Sequence, residues 1–186
     1  MNDDRHPLLQ GLPLPAGPVR LRALGPSDAP AFLAYRSDPL VARFQGWPLM
    51  DHAAALAFLR DAAPAPWNVG DWAQIGIATT EDDRLVGDIG LLLEAPGQIQ
   101  LGFSLAHPAQ GRGWAFAAVH ACLHGLLCPL QLRRLRAITD ERNAPSRRLL
   151  QRLHFAETGR EAVVVKGEAC TDLVFERWLD EPGAID

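Results

Sequence analysis

The stretch HPAQGRGWAFAAV, residues 107–119, decides how the chain is read. Two glycines, Gly111 and Gly113, bracket Arg112, and a run of small and aromatic residues follows at once. Such a loop, set between the end of a strand and the start of a helix, gathers unpaired backbone N–H groups at the positive end of the helix dipole, where a phosphate fits. Glycines let the ligand approach the backbone closely. Two nucleotide fingerprints fail here: GxGxxG needs glycine where Phe116 stands, and GxxxxGK[ST] needs a lysine, whereas the only lysine in the chain is Lys166.

Working outward from the loop, IQLGFSLA (99–106) precedes it as a strand after a turn at Pro96 and Gly97. WAQIGIATT (72–80) and RLVGDIGLLLE (84–94) read as two further strands, joined at residues 81–83, so an antiparallel meander leads into the loop. Further back, VRLRAL (19–24) alternates apolar and basic residues, the period of a half-buried strand. Ser27 is then expected to cap a helix through Phe32, Leu33 and Tyr35 that stops at Pro39, and Asp51 to cap a second, HAAALAFLRDAA (52–63). After the loop come a helix over 113–127, a strand over 135–139 and a helix from Pro145 or Ser146 to Leu153. AVVVK (162–166) and DLVFERWL (172–179) close the chain as a hairpin around Gly167 and Glu168. No repeat or linker divides this order, which reads as one domain over 1–186 with its core at about 19–179 and loose ends at 1–17 and 180–186.

The totals agree with one independently folding unit: 186 residues, 48% hydrophobic and 22% charged. Three cysteines, Cys122, Cys128 and Cys170, form no CxxC pair, which argues against a disulfide framework or a four-thiolate zinc site and for a cytoplasmic chain. The N-terminus carries acids where a signal peptide needs bases, and no apolar run approaches the ~20 residues of a membrane span. The net charge is −4, yet residues 95–155 hold eight arginines against Asp140 and Glu141. This asymmetry points to an anionic ligand in the basic half. Direct nucleic-acid binding is not expected, because aromatic and basic residues do not alternate there. His120 and His124 stand four apart on one helix face, but with no third ligand at metal spacing no metal is expected.

Residues 110–115 read Q-x-x-G-x-A, which resembles the pyrophosphate-binding motif of the GNAT superfamily of acetyl-coenzyme A dependent N-acetyltransferases. LGFSLAHPAQGRGWAFAAV (101–119) is similar to the fourth strand, loop and third helix of its ribosomal-protein N-terminal acetyltransferase branch. NAPSRRLLQRLHF (143–155) resembles that branch's Asn-x-x-Ser helix, VRLRALGPSDAPAFLAYRSDP (19–39) its opening strand and helix, and CTDLVFERWL (170–179) its closing strand.

The resemblance implies an α/β fold in which helices flank a mixed, mostly antiparallel sheet, with a cofactor cleft where the family's strands four and five splay apart. It implies transfer of acetyl from acetyl-coenzyme A, as co-substrate and without metal, to an amine by direct attack in a ternary complex. Pantetheine would lie along Phe103, Ser104 and Leu105, the pyrophosphate on Gln110, Gly111, Arg112, Gly113, Trp114 and Ala115, and Asn143 would hydrogen-bond the pantetheine. Ser146 would protonate the departing thiolate, or else cap its helix. The family's base positions hold Ala117 and Gln100, which leaves Asp88 as the candidate proton acceptor, directly or through water, and Tyr35 falls in the first helix rather than at the acid position of other branches. Phe44, Trp47, Trp67 and Trp72 are available to wall an acceptor pocket, or else belong to the core. A protein N-terminus leads as acceptor; a small amine, amino acid or aminoglycoside stays open, as do a non-catalytic coenzyme A binding module and a homodimer through AVVVK.

Overall fold

One eight-stranded sheet organises the molecule, in the order β1-β2-β3-β4-β5-β6-β8-β7. The computed structural model describes residues 6–179. Its strands are β1 (Leu14–Ala16), β2 (Val19–Arg22), β3 (Trp72–Thr79), β4 (Leu85–Ala95), β5 (Gln98–Leu105), β6 (Arg134–Asp140), β7 (Ala156–Val165) and β8 (Glu168–Trp178). The helices are α1 (Ala29–Arg36), α2 (Pro39–Ala42), α3 (His52–Arg60), α4 (Trp114–Ala121) and α5 (Ala144–Arg152). Every neighbouring pair is antiparallel except β5 and β6. That one parallel pair is joined by a crossover containing α4, as parallel strands require.

Alternation along the strands sorts the helices into two layers. Leu101, Phe103 and Leu105 of β5 turn to one face and pack in a cluster with Val119 and Leu123 of the α4 segment and Leu150 of α5. Ser104 of β5 and its cross-strand partner Asp88 of β4 turn to the other face, where Asp88 meets Tyr35 and Arg36 of α1. There α1 and α3 form their own cluster from Phe32, Tyr35, Ala55 and Leu59. Removing each such large side chain from water contributes about 1.5–3 kcal/mol, which is why α1 and α3, at nine residues or fewer, are stable only against the sheet.

Several sequence expectations change. The N-terminal segment up to residue 17 is not loose over its described part: a 3-10 turn, Pro7–Gly11, buries Leu8, and β1 adds an edge strand beside β2. Its prolines and glycines mask the strand pattern. Residues 1–5 and 180–186 lie outside the described ones. Ser27 does not cap α1; Asp28 organises that corner, its carboxylate accepting the Gly25 N–H at 2.9 Å and both terminal nitrogens of Arg22. Pro39 opens α2, with Asp38 accepting the Leu40 N–H, so it starts a helix as well as ending one. The helix expected over 113–127 keeps α geometry only to Ala121 and continues as a π turn, Cys122–Leu127.

Candidate functional site

Between β5 and β6 the parallel ladder runs from Gln98 and Arg134 to Leu101 and Ala137 and then stops. Beyond it, Gly102 to Leu105 pair only with β4, and Ile138 to Asp140 only with β8. The two strands therefore splay, each leaving an unpaired edge, at the point where the glycine loop and α4 begin. A cleft of about 580 Å³ fills the gap. It is lined from one layer by Gly113, Trp114 and Ala115 of the loop and α4 and by Ser146 and Leu149 of α5, and from the other by Val41, Phe44 and Gln45. The opening thus passes through the sheet between the helical layers.

The loop geometry explains its glycines. Gly111 and Gly113 take φ of 73° and 78°, the left-handed region that side chains with a Cβ avoid. Gly113 is the N-cap of α4 and supplies no side chain to its first turn, so the amide N–H groups of Trp114, Ala115 and Phe116 head the helix without a side-chain acceptor. Gln110 clamps the loop: its Nε2 donates to the Leu105 carbonyl at 3.0 Å. Ser104 and Phe103 lie on the splayed edge, and Gln45 Nε2 donates to Ser104 Oγ at 3.2 Å across the cleft.

At the far wall, Asn143 caps α5, its Oδ1 accepting the Ser146 N–H at 3.3 Å. Two consequences follow. Ser146 is not the cap, so its hydroxyl lines the cleft without that duty, and the Asn143 Nδ2 is the end of the amide left to donate. Phe103, Ser104, Leu105, Gln110, Gly111, Gly113, Trp114, Ala115, Asn143 and Ser146 all meet at this one cleft.

Two expected residues do not. Arg112 turns away, stacks 5.2 Å from the Trp114 ring and lines a separate, smaller hollow with Arg84 and Pro108. Asp88 is absent from the cleft wall, only 3% exposed, with one oxygen accepting from Tyr35 Oη and the other paired to Arg36, both at 2.8 Å. Both oxygens of the carboxylate are thus occupied, and burial and Asp88 push the Tyr35 hydroxyl well above its ordinary value. Arg36 itself sits in an aromatic cage, 4.3 Å from the rings of both Phe32 and Trp47. Of the aromatics considered for an acceptor wall, Phe44 alone lines the cleft. Trp47 packs with α1, Trp67 meets the His6 ring at a tilt, and Trp72 is partly exposed.

The sequence did not reveal a row of carboxylates beside the splay. Asp140 of β6 pairs with Asp172 of β8, which pairs with Glu161 of β7, so three acids stand side by side on the face that carries α2. Arg142 answers Asp140 through a 2.6 Å contact and holds its carboxyl below the ordinary value. Among the described residues no cation pairs with Asp172; burial, reinforced by Asp140 and Glu161, pushes its carboxyl up. Glu161 and Asp172 share a hairpin, but only strand order could have shown Asp140 beside them, because β6 is far from that hairpin in the chain. Lys166, at the β7–β8 turn, donates to the Ala42 carbonyl at 2.9 Å and ties that hairpin to α2. The rings of His120 and His124 stack at 4.2 Å, and among the described residues no three metal-ligating side chains come together. No helix among them is long and apolar enough to cross a membrane.

Comparison with known proteins places this geometry. The family described as acetyltransferase (GNAT) domain matches residues 19–156. The uncharacterized N-acetyltransferase p20 of Bacillus licheniformis is 27% identical over 144 residues, 76% of this chain and 80% of that protein. Among solved structures, the ribosomal L7/L12 alpha-N-protein acetyltransferase RimL in complex with coenzyme A aligns with a TM-score of 0.78 at 18% identity, covering 90% of this chain and 98% of that one. An acetyltransferase from Salmonella typhimurium that modifies the N-terminal serine of ribosomal protein L7/L12 gives a TM-score of 0.76 at 17% identity, over 90% and 99% of the two chains. At these identities the structural likeness speaks for the fold.

Proposed function

The chain belongs to the GNAT acetyltransferase family, and on that premise we propose that it moves acetyl from acetyl-coenzyme A to a primary amine, with a protein N-terminus as the leading acceptor. The observation that carries this reading is the end of β5–β6 pairing at Leu101 and Ala137, beside the uncapped first turn of α4. An extended, amide-bearing chain ending in a pyrophosphate matches both features: unpaired strand edge for the one, helix N–H groups for the other.

In this account Gly111 and Gly113 let the pyrophosphate approach the α4 amides, while Gln110 holds the loop shut on β5. The splayed edge at Phe103 to Leu105 and the Asn143 Nδ2 orient the pantetheine, and the strand's unpaired N–H groups polarise the thioester carbonyl. The neutral amine attacks that carbonyl; the C–N bond forms, the C–S bond breaks, and Ser146 Oγ gives its proton to the departing thiolate while taking up, through water, the proton lost by the attacking nitrogen. The acid row Asp140, Asp172 and Glu161 stands outside the residues that line the cleft and favours a cationic acceptor on that side of the sheet.

The Salmonella protein acts on a protein N-terminus, and the wall formed by Leu40, Val41 and Phe44 suits an extended peptide end. The test is mass spectrometry after incubation with acetyl-coenzyme A and a panel of peptides with free or blocked α-amines, with small amines and aminoglycosides alongside. A one-acetyl gain confined to free N-termini supports the peptide reading; gain on small amines alone overturns it.

A further inference from the structure

Several arginines in this protein are neutralised by acids: Arg22 by Asp28, Arg36 by Asp88, Arg134 and Arg136 by Glu94, Arg142 by Asp140, Arg160 by Glu157. Arg148 and Arg152 are not. Both line the cleft, both are exposed, and no carboxylate among the described residues pairs with either. Four residues apart, they share one face of α5 and lie about 6 Å apart along its axis. The Arg152 guanidinium stacks 4.0 Å over the Phe116 ring, in the first turn of α4, so it is fixed within one helical turn of the amides assigned to the pyrophosphate. No Asp or Glu occurs between residues 96 and 139 to oppose this charge.

The cleft therefore offers two separate anion sites at one end, helix amides and a guanidinium pair. We propose that Arg148 and Arg152, the latter held by Phe116, bind the 3′-phosphate on the ribose of the co-substrate, so that this enzyme discriminates coenzyme A from its dephospho form. The proposal rests on the acetyl-coenzyme A reading and adds a second phosphate site to it. Guanidinium forks match phosphate oxygens, and a site preformed by ring stacking loses little side-chain freedom on binding.

The experiment titrates the full chain with coenzyme A and with dephospho-coenzyme A by calorimetry, for wild type and for Arg148→Ala, Arg152→Ala and the double variant, with thermal melts to establish folding. Wild type is expected to bind coenzyme A at least about tenfold more tightly than the dephospho form, as two charge-assisted contacts allow. The double variant is expected to lose that preference while keeping its affinity for dephospho-coenzyme A. Equal wild-type affinity for the two ligands, or equal losses for both in the variants, overturns the subsite while leaving the acetyltransferase reading intact. Binding of neither ligand by folded wild-type protein overturns that reading, and the subsite with it.

Discussion

Asp88 and Arg36 form a buried ion pair, 2.8 Å from nitrogen to oxygen, that ties β4 to α1. Tyr35 Oη satisfies the second carboxylate oxygen, and the rings of Phe32 and Trp47 flank the guanidinium. Removing one partner leaves the other charged and desolvated. Asp88→Ala is therefore expected to lower stability by about 3–5 kcal/mol, read by chemical denaturation. Turnover per folded molecule should stay close to wild type; a selective loss of kcat in a stable Asp88→Asn variant would restore the aspartate to the chemistry.

Asn143 and Ser146 separate capping from catalysis. Asn143→Ala is expected to cost about 1 kcal/mol of stability through the lost cap and to raise KM for acetyl-coenzyme A. Ser146→Ala should leave stability within about 0.5 kcal/mol and lower kcat by about a hundredfold or more. Melting curves beside steady-state kinetics check both.

Asp172 gives a pH signature. Its carboxyl is raised in the folded protein, so the folded state holds a proton that the unfolded chain has already released, and its contribution to stability falls as pH rises through the ordinary carboxylate range. Asp172→Asn is expected to be at least as stable as wild type at pH 7. The same change should leave kcat/KM close to wild type, because Asp172 stands outside the residues that line the cleft.

His6 acts at the other end. Its Nδ1 accepts the Leu8 N–H at 3.1 Å, and burial lowers its pKa, so the unfolded chain takes up the proton first. Stability should decline as pH falls below about 6.5, and His6→Ala should flatten that dependence in melts between pH 5 and 8.

The glycine turn was legible because helix starts and glycine turns are local in sequence. Gly111, Gly113, Asn143 and Ser146, named from local pattern and family likeness, line one cleft. What escaped depended on which strands become neighbours and which way side chains turn. Asp88 reads as an exposed strand aspartate until α1 folds over it and presents Arg36. Arg112 looks like part of the phosphate loop until Trp114 draws it to the opposite side. The acid row exists only because β8 inserts between β6 and β7, an order no local pattern encodes. Leu8 and β1 were hidden by prolines that serve a sheet edge, where a missing N–H is tolerated.

The central claim is that the Gly113 turn and the β5–β6 splay hold acetyl-coenzyme A. Its most direct measurement is calorimetric titration of the protein with acetyl-coenzyme A, beside a Gly113→Glu variant that puts a charged side chain on a backbone of φ 78° at the head of α4. The account predicts one-to-one binding by wild type, lost in the variant while its melt still shows a folded chain. Wild-type protein that is folded yet binds nothing, or a variant that binds as well as wild type, would contradict it.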